Sequence, residues 1–476
     1  ALLGAAARNA DASSLSLCGF PPPVDPSVMH TTVTPDPAVV EVNQAPAPDL
    51  STFLRWNRQL FALAEEVGLW PYRLHYNGVV SDSGGAGQVT FGGPTPERSP
   101  FFLAPQLLPR LVRYLLRHPS LSYWFAPQYV GGGSQSPRPD EGLPESLREL
   151  GVALEQLDRL PSPAPELLWG TLQHFLADCS GNPHRAELNI EKLCNPYLPG
   201  RGCLGLVEFR ALRMPTSAER LAAIAQLLRA LALLLAREDR VSELTHWGEE
   251  LHDRFALPSL LRQDLVEVFA DLEGGGLGLG REVEALLLGG DERLLGSLEL
   301  GGCRLDVEQA LEFWPLVGDV ASQEAGGSRL VDASTSRLEL RLSVPAAASL
   351  DHWQLLVNGY RLPLLSLPSG PRVSAALGVR YRSFVPRRGL HPSIRAESRI
   401  VIELLQRGQP LARITLHPWR PDGLPYEGLP RNMAEARERR AERFVVERPV
   451  LGPPPIVRTA PASALSRYCL DLRRVR

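Results

Sequence analysis

Ser180–Leu193 reads Ser-Gly-Asn-Pro-His-Arg-Ala-Glu-Leu-Asn-Ile-Glu-Lys-Leu, and after a short loop Leu204–Pro215 reads Leu-Gly-Leu-Val-Glu-Phe-Arg-Ala-Leu-Arg-Met-Pro. Both halves predict strands with chemistry on one face. Side chains alternate faces along a strand. Arg185, Glu187, Asn189 and Glu191 then point one way, while Ala186, Leu188 and Ile190 point into a core. In the second half Glu208 and Arg210 share a face, and Val207 and Phe209 share the other. Carboxylates and an arginine on one sheet face suit divalent metal and phosphate: hard cations take oxygen ligands, and guanidinium matches phosphate bidentately. A solvated face of ion pairs fits the same spacing. A helical reading of 184–191 also stands, with His184, Glu187 and Glu191 at i, i+3 and i+7.

Upstream, Val33–Asn43 predicts another strand, with Glu41 and Asn43 facing away from Val40 and Val42. Asp49 caps a helix running to about Val67. Ser81–Gly93 is glycine-rich and leads into a strand, so its backbone amides can approach a phosphate. It lacks the Gly-Lys-Ser/Thr of a Walker A loop, and a tight hairpin is the alternative. Helices are predicted over Pro105–Arg117 and Pro144–Leu160, separated by a loop, Gly131–Asp140, that carries one notable cation, Arg138.

Downstream, Ser217–Ala236 and Val241–Leu272 predict long helices, with a further helical pair to about Val320. The glycines of 274–280 follow a helix rather than a strand. They read as a helix stop, not a dinucleotide fingerprint. After Arg329 the pattern turns to strands: Leu338–Val344, Trp353–Val357, Tyr360–Leu365, Gly378–Phe384, Arg399–Leu405 and Ala412–Leu416, with Asn358-Gly359 as a hairpin signal. Glu435–Arg443 predicts a charged, solvated helix. The organisation expected is an α+β core over 1–330, a β-rich module over 331–420, and a helix with an extended tail over 421–476.

The 476 residues, 44% apolar, are enough to bury a sizeable core. A net charge of −3 argues against nucleic acid or an acidic membrane surface as partner. No apolar run is long enough to span a membrane; the longest, Leu221–Ala236, is interrupted by Arg229. The six cysteines show no C-x-x-C spacing. Cys194 and Cys203 flank a loop and could pair, but separate core thiols of a cytoplasmic protein are expected. Lys192 is the one lysine in the chain and lies inside the opening stretch. The sequence starts without Met and shows no signal-peptide pattern.

Several segments together resemble one family, the putative amidoligase domain that in bacteria is usually fused behind a transglutaminase-like protease. They are Asn182–Leu193, Gly205–Pro215, Val33–Asn43, Thr95–Phe102, His118–Tyr123, Trp247–Phe255, Gly378–Arg382, Leu390–Ile394 and the terminal Leu-Asp-Leu-Arg-Arg. The likeness covers essentially the whole chain. The family is assigned to the carboxylate–amine ligase superfamily of glutamine synthetase and glutamate–cysteine ligase. That implies a glutamine-synthetase-like antiparallel sheet with helices on one face, binding ATP and Mg2+. It also implies amide-bond formation through an acyl phosphate, between a peptide or protein carboxylate and an amine.

Glu208-Phe209-Arg210 is similar to the strand of glutamine synthetases whose glutamate holds metal and whose arginine stabilises transferred phosphate. Carried over residue by residue, the resemblance implies Glu41, Glu187, Glu191 and Glu208 for metal. It implies Arg210 and Arg138 for phosphate, with Lys192 beside them, and Asn43, Gly85, Gln88 and His184 as nucleotide or substrate contacts.

Two departures stand out. The family's glycine-rich loop ends Gly-Gly-Gly-Asn-His and has a histidine before it, whereas this chain has Gly-Gly-Ala-Gly-Gln at 84–88 and Val80 upstream. Relatives also carry a segment before the point where this sequence starts. A fragment, a split protein or a degenerate copy is therefore expected, with another chain supplying that segment. The rival function is a catalytically weakened scaffold that binds a protease or ligase. A zinc hydrolase built on His184 and Glu187 fits poorly, because there is no H-E-x-x-H.

Overall fold

The computed structural model describes residues 9–11, 31–36, 39–82, 86–199, 202–237, 242–289, 291–315, 331–367, 372–387, 389–450 and 455–475. The chain divides into two units, Ala1–Ala47 and Pro48–Arg476. In the first, β1 (Thr32–Asp36) and β2 (Val39–Asn43) form an antiparallel hairpin. Glu41 and Asn43 are exposed on β2, and the Asn43 amide donates to Glu41 Oε1 at 3.1 Å.

The second unit opens with α1 (Leu50–Glu66), capped as its sequence predicts: the Asp49 carboxylate accepts from the Thr52 N–H at 2.8 Å. The strand β3 (Ala86–Phe91), helices α2 (Leu107–Arg117) and α3 (Pro144–Asp158), and strands β4 (Leu188–Asn189) and β5 (Val207–Arg213) follow. Then come α4 (Ala218–Arg237), α5 (Pro258–Gly274) and α6 (Arg281–Leu288). Strand β5 is the centre of an antiparallel sheet of order β3-β5-β4. One face of that sheet, carrying Val89, Leu188, Val207, Phe209 and Leu212, joins the apolar residues of α2, α3, α4 and α5 in one core. Helices thus cover one side of the sheet and leave the other for polar side chains.

Three expectations are corrected. The helix predicted over Val241–Leu272 is broken: residues 242–249 are not helical, Glu250–Arg254 forms a short helix, and α5 begins at Pro258. Proline cannot continue a helix from behind but suits its first position, and it holds Leu257 extended at ψ 122°. Where the helical pair is expected, the described residues, which stop here at 315, form one α-helix, α6, followed by two strands, β6 (Leu294–Leu300) and β7 (Cys303–Gln309). Gly301 and Gly302 turn that hairpin, with φ of 60° and 79°. Cys194 and Cys203 form a disulfide rather than lying as separate thiols. The intervening loop folds back on itself, with the Asn195 N–H donating to Gly202 O at 2.8 Å, so its two ends meet.

The β-rich part consists of two sheets over a common core. The first has the order Leu365–Ser366, β10 (Arg372–Arg382), β8 (Thr335–Pro345), β7, β6. The second runs Tyr360–Arg361, β9 (Trp353–Val357), β11 (Ile400–Gln406), β12 (Gln409–Leu416), β13 (Phe444–Glu447). Leu305, Leu340 and Leu377 of one meet Leu355, Ile402 and Ile414 of the other. The last strand, β14 (Cys469–Asp471), joins β10 in parallel. Taken together, the architecture is α+β.

The charged helix α7 (Met433–Glu442) is not wholly solvated, as its composition suggests it should be. Arg439 and Arg440 are buried, and they donate to the carbonyls of Tyr76 (2.9 Å) and Gly78 (2.5 Å). Gly78 sits at φ 80°, and a Cβ there would lie 2.2 Å from Ala436 O, so only glycine lets the turn meet this helix.

Candidate active site

Strand register decides which side chains share the open face. Thr90 and Asn189 flank Glu208, while Val89 and Leu188 flank Phe209. Glu208 and Arg210 therefore project together, away from the core. They form an ion pair on one strand, each with 17% of its side chain exposed. Gln88 on β3 completes the group. With its amide nitrogen toward the carboxylate, it donates to Glu208 Oε1 at 2.8 Å. Its oxygen accepts from Arg210 Nη1 and Nη2 at 3.0 Å. The Arg210 Nε–H is buried and, among the described residues, has no hydrogen-bond partner. An orphaned guanidinium donor beside a carboxylate is a place where a ligand oxygen is favoured.

The register slips by one residue between Gly87 and Val89, where β5 carries an extra residue at Arg210-Ala211. A bulge of this kind reverses the alternation beyond it. Leu212 returns to the core opposite Gly87, and Arg213 opposite Ala86 comes to the same face as Glu208 and Arg210. Simple period-2 reading puts Arg213 on the wrong side, and nothing in the sequence marks the bulge.

A family model described as "Putative amidoligase enzyme" matches residues 1–473. The chain belongs to that family. No curated protein and no solved structure gives a significant match. Membership in the amidoligase family supports a ligase-type activity, and it places the Glu208–Arg210 strand inside the matched region.

The polar face of the sheet continues into a buried network. Arg210 donates its backbone N–H to Glu187 O at 2.8 Å, so Glu187 lies beside the strand. Its carboxylate accepts from Ser122 Oγ and stands 3.8 Å from Arg138 Nη1. Arg138 is fully enclosed. It binds Asp140 through Nε and Nη2, both at 2.9 Å, and the carbonyls of Leu115 and Leu116 at 3.0 and 3.2 Å. Burial opposes the charge on Arg138, but Asp140 and Glu187 outweigh it and raise its pKa above the usual arginine value. Burial pushes the Glu187 carboxyl up to about 7, against the pull of Arg138 and Ser122. Arg138 therefore holds Glu187 and the 131–140 loop in place, with its donors already engaged.

Next to this pair, Glu141 accepts from Tyr123 and from the Arg138 N–H, and faces His252 Nε2 at 2.9 Å. Burial opposes the Glu141 charge, but His252 and Tyr123 hold its carboxyl below the usual range. The His252 ring stacks on Phe313 with centroids 4.6 Å apart. Ser122 and Tyr123 lie in the His118–Tyr123 segment and His252 in the Trp247–Phe255 segment. The resemblance singled out those segments, but the residues' own chemistry did not.

The other predicted residues fall elsewhere. The stretch 184–191 is neither a full strand nor a helix. Only Leu188–Asn189 is a strand, and Glu191–Cys194 forms a single helical turn. The Asn189 amide oxygen accepts from the Glu191 N–H at 2.8 Å and ends the strand there. Glu191 pairs with exposed His184 at 3.1 Å, and Lys192 is exposed. His184 and Glu187 thus make no zinc pair. Glu41 and Asn43 belong to the first unit, and Gly85 lies outside the described residues.

Fit to magnesium can be judged from the donor set. Mg2+ wants several hard oxygen donors at once. Glu208 is engaged by Arg210, Glu187 by Ser122 and Arg138, and Glu191 by His184. Among the described residues, His, Cys, Asp and Glu groups close enough to share an ion occur at Glu166–Cys194–Cys203 and at His118–Asp264–Glu267. Neither includes a predicted ligand, so the described carboxylates do not form a magnesium set as placed. The donor that the Gln88–Glu208–Arg210 group leaves unused among the described residues is the buried Arg210 Nε–H.

No helix among the described residues is long and apolar enough to cross a membrane.

Proposed function

We propose that the chain is an ATP-dependent carboxylate–amine ligase whose site is the open face of the β3-β5-β4 sheet. The observation that carries this reading is the Gln88–Glu208–Arg210 group, with its orphaned Arg210 Nε, in a chain of the amidoligase family. In this reading the substrate carboxylate takes the terminal phosphoryl group of ATP and ADP leaves. The amine then displaces phosphate from the acyl carbon and gives up a proton. Arg210 meets a phosphoryl oxygen, Gln88 fixes the guanidinium and carboxylate planes, and Glu208 keeps Arg210 aimed. Phosphoryl transfer asks the protein mainly for such positioning and charge neutralisation.

Glu187, which accepts the Arg210 N–H, and Arg138 beside it brace the strand. His184, Glu191 and Lys192, next to β4 in the chain, remain proposed nucleotide, metal or phosphate contacts, as do Glu41, Asn43 and Gly85. Mg2+ is proposed as the counter-ion of the nucleotide. The acyl substrate is a peptide or protein carboxylate, and a transglutaminase-like protease is the proposed partner.

A second reading has a specific observation in its favour. Glu187, Glu191 and Glu208 each already have a cationic neighbour within the chain. A scaffold that binds a ligase or protease would show the same internal pairing. Calorimetry of ATP with Mg2+, on this chain and on Glu208→Ala and Arg210→Ala, decides between them. Binding that weakens in both variants is expected; absence of binding to the parent chain overturns the ligase reading.

A further inference from the structure

Beyond the bulge, β5 delivers Arg213 to a second cluster of like charge. Arg213 forms an ion pair with Glu292, with 22% and 15% of the two side chains exposed. Arg220, in the first turn of the 20-residue helix α4, lies against Gly289; a Cβ built there would sit 3.3 Å from Arg220 Nη1. Its N–H is capped by Ser217 Oγ at 3.2 Å, and among the described residues its guanidinium has no hydrogen-bond partner. Arg293 is buried, donates to Trp124 O at 3.1 Å, and stacks over the Trp124 ring at 5.4 Å.

The charges do not balance. Burial opposes the Glu292 charge, but Arg213, Arg220 and Arg293 together hold its carboxyl below the usual range. Burial and the neighbouring Arg213 lower Arg220, and they bring Arg293 down to about 9. Glu308 also attracts Arg293, but it is already engaged by Arg341 at 3.1 Å and Arg262 at 3.6 Å. Glu292 reaches a fourth arginine as well, the buried Arg440 of α7, whose Nε–H has no hydrogen-bond partner among the described residues. A cation in the first turn of a helix is itself unfavourable, because the helix N-terminus carries partial positive charge. An anion would relieve both penalties.

We infer that Arg213, Arg220 and Arg293 form a binding site for a phosphate-type oxyanion, distinct from the Gln88–Glu208–Arg210 group on the same sheet face. Guanidinium forks match phosphate oxygens in pairs, and a doubly charged oxyanion balances what Glu292 leaves over. The site is partly open through Arg213 and Arg220. It stands on the arginines alone; it rests on the ligase reading only in naming nucleotide phosphate as one source of the ligand, free phosphate or polyphosphate being the other.

The test is calorimetry on the full chain at low salt with magnesium-free tripolyphosphate, inorganic phosphate and ATP as separate titrants. Tripolyphosphate should bind the parent chain. Arg213→Gln and Arg220→Gln should each weaken it by roughly tenfold, the effect of losing one charge-assisted pair. Glu208→Ala should leave tripolyphosphate binding intact, so failure of the ligase reading and failure of this one are separable. ATP competing with tripolyphosphate identifies a nucleotide source, and tripolyphosphate binding without ATP binding identifies a free anion. Circular dichroism verifies folding, and if Arg213→Gln does not fold, Arg220→Gln alone carries the comparison. No binding of either inorganic anion, or undiminished binding in the folded variants, overturns the site.

Discussion

Glu208 and Arg210, two residues apart on β5, are each other's ion partner, and Gln88 bridges both from the neighbouring strand. A third, neutral group fixes this ion pair. Gln88 supplies that group, and it can do so without a charge of its own at neutral pH. The orientation of the pair therefore does not change with protonation of its bridge.

Replacing Gln88 with alanine should therefore loosen the pair while leaving the fold intact, because Gln88 is exposed. The loss of about 1 kcal/mol of hydrogen bonding corresponds to roughly fivefold weaker ATP binding. Gln88→Glu should be worse, since it sets a second carboxylate against Glu208. Titrations of the two variants beside the parent chain check both statements; equal affinities would remove Gln88 from the site.

Arg138→Ala should be far more damaging to stability than any change on the open face. It leaves Asp140 and Glu187 enclosed without their cation. Breaking a buried pair from one side costs about 3–5 kcal/mol. Urea denaturation should show the unfolding free energy falling by that amount, with a correspondingly lower midpoint, and Arg138→Lys should recover little, because one ammonium cannot reach Asp140 and two backbone carbonyls together.

Burial raises Glu187 to about 7 from an ordinary 4.5. A carboxyl raised in the folded state binds its proton more tightly there than in the unfolded chain. Its contribution is fully present below about pH 4.5 and is lost as pH rises through about 7, a span of roughly 3 kcal/mol. Glu339, raised to about 7 by burial and by Glu308, slopes the same way. Chemical denaturation across pH 4.5–7.5 should show Glu187→Gln with a flatter profile than the parent, the difference isolating Glu187. Parallel profiles would mean that Glu187 stays ionised throughout.

Much of this was legible in the chain. Strand β5 announced itself through Val207 and Phe209 alternating with Glu208 and Arg210, because one face had a core to meet. Asp49 and Asn358-Gly359 marked a cap and a turn through local chemistry that needs no distant partner. What failed was non-local. Glu187 looks like a surface ligand until Ser122 and Arg138, more than forty positions upstream, close over it. Arg213 changes faces through a bulge that alternation does not reveal. Arg439 and Arg440 look solvated until the turn at Gly78 supplies carbonyls for them.

The docking of the chain's last strand gives a prediction that depends on one glycine. Gly378 of β10 donates its N–H to Tyr468 O at 2.8 Å, beside β14. A Cβ at Gly378 would lie 2.9 Å from Leu257 Cδ2 and 3.0 Å from Tyr468 O. The leucine can turn aside, but the carbonyl belongs to the backbone that β14 uses for pairing. Gly378→Val adds two methyl groups beyond that Cβ and must push the strand away. Overpacking of this kind costs about 1–3 kcal/mol, and here it bears on the docking of the tail. Limited proteolysis should cut Gly378→Val after the tail arginines Arg467 and Arg473 well before the parent chain. Gly378→Ala should fall between them. If the variants and the parent are cut at one rate, β14 is held by Cys469, Leu470 and Leu472 in the core rather than by its approach to Gly378.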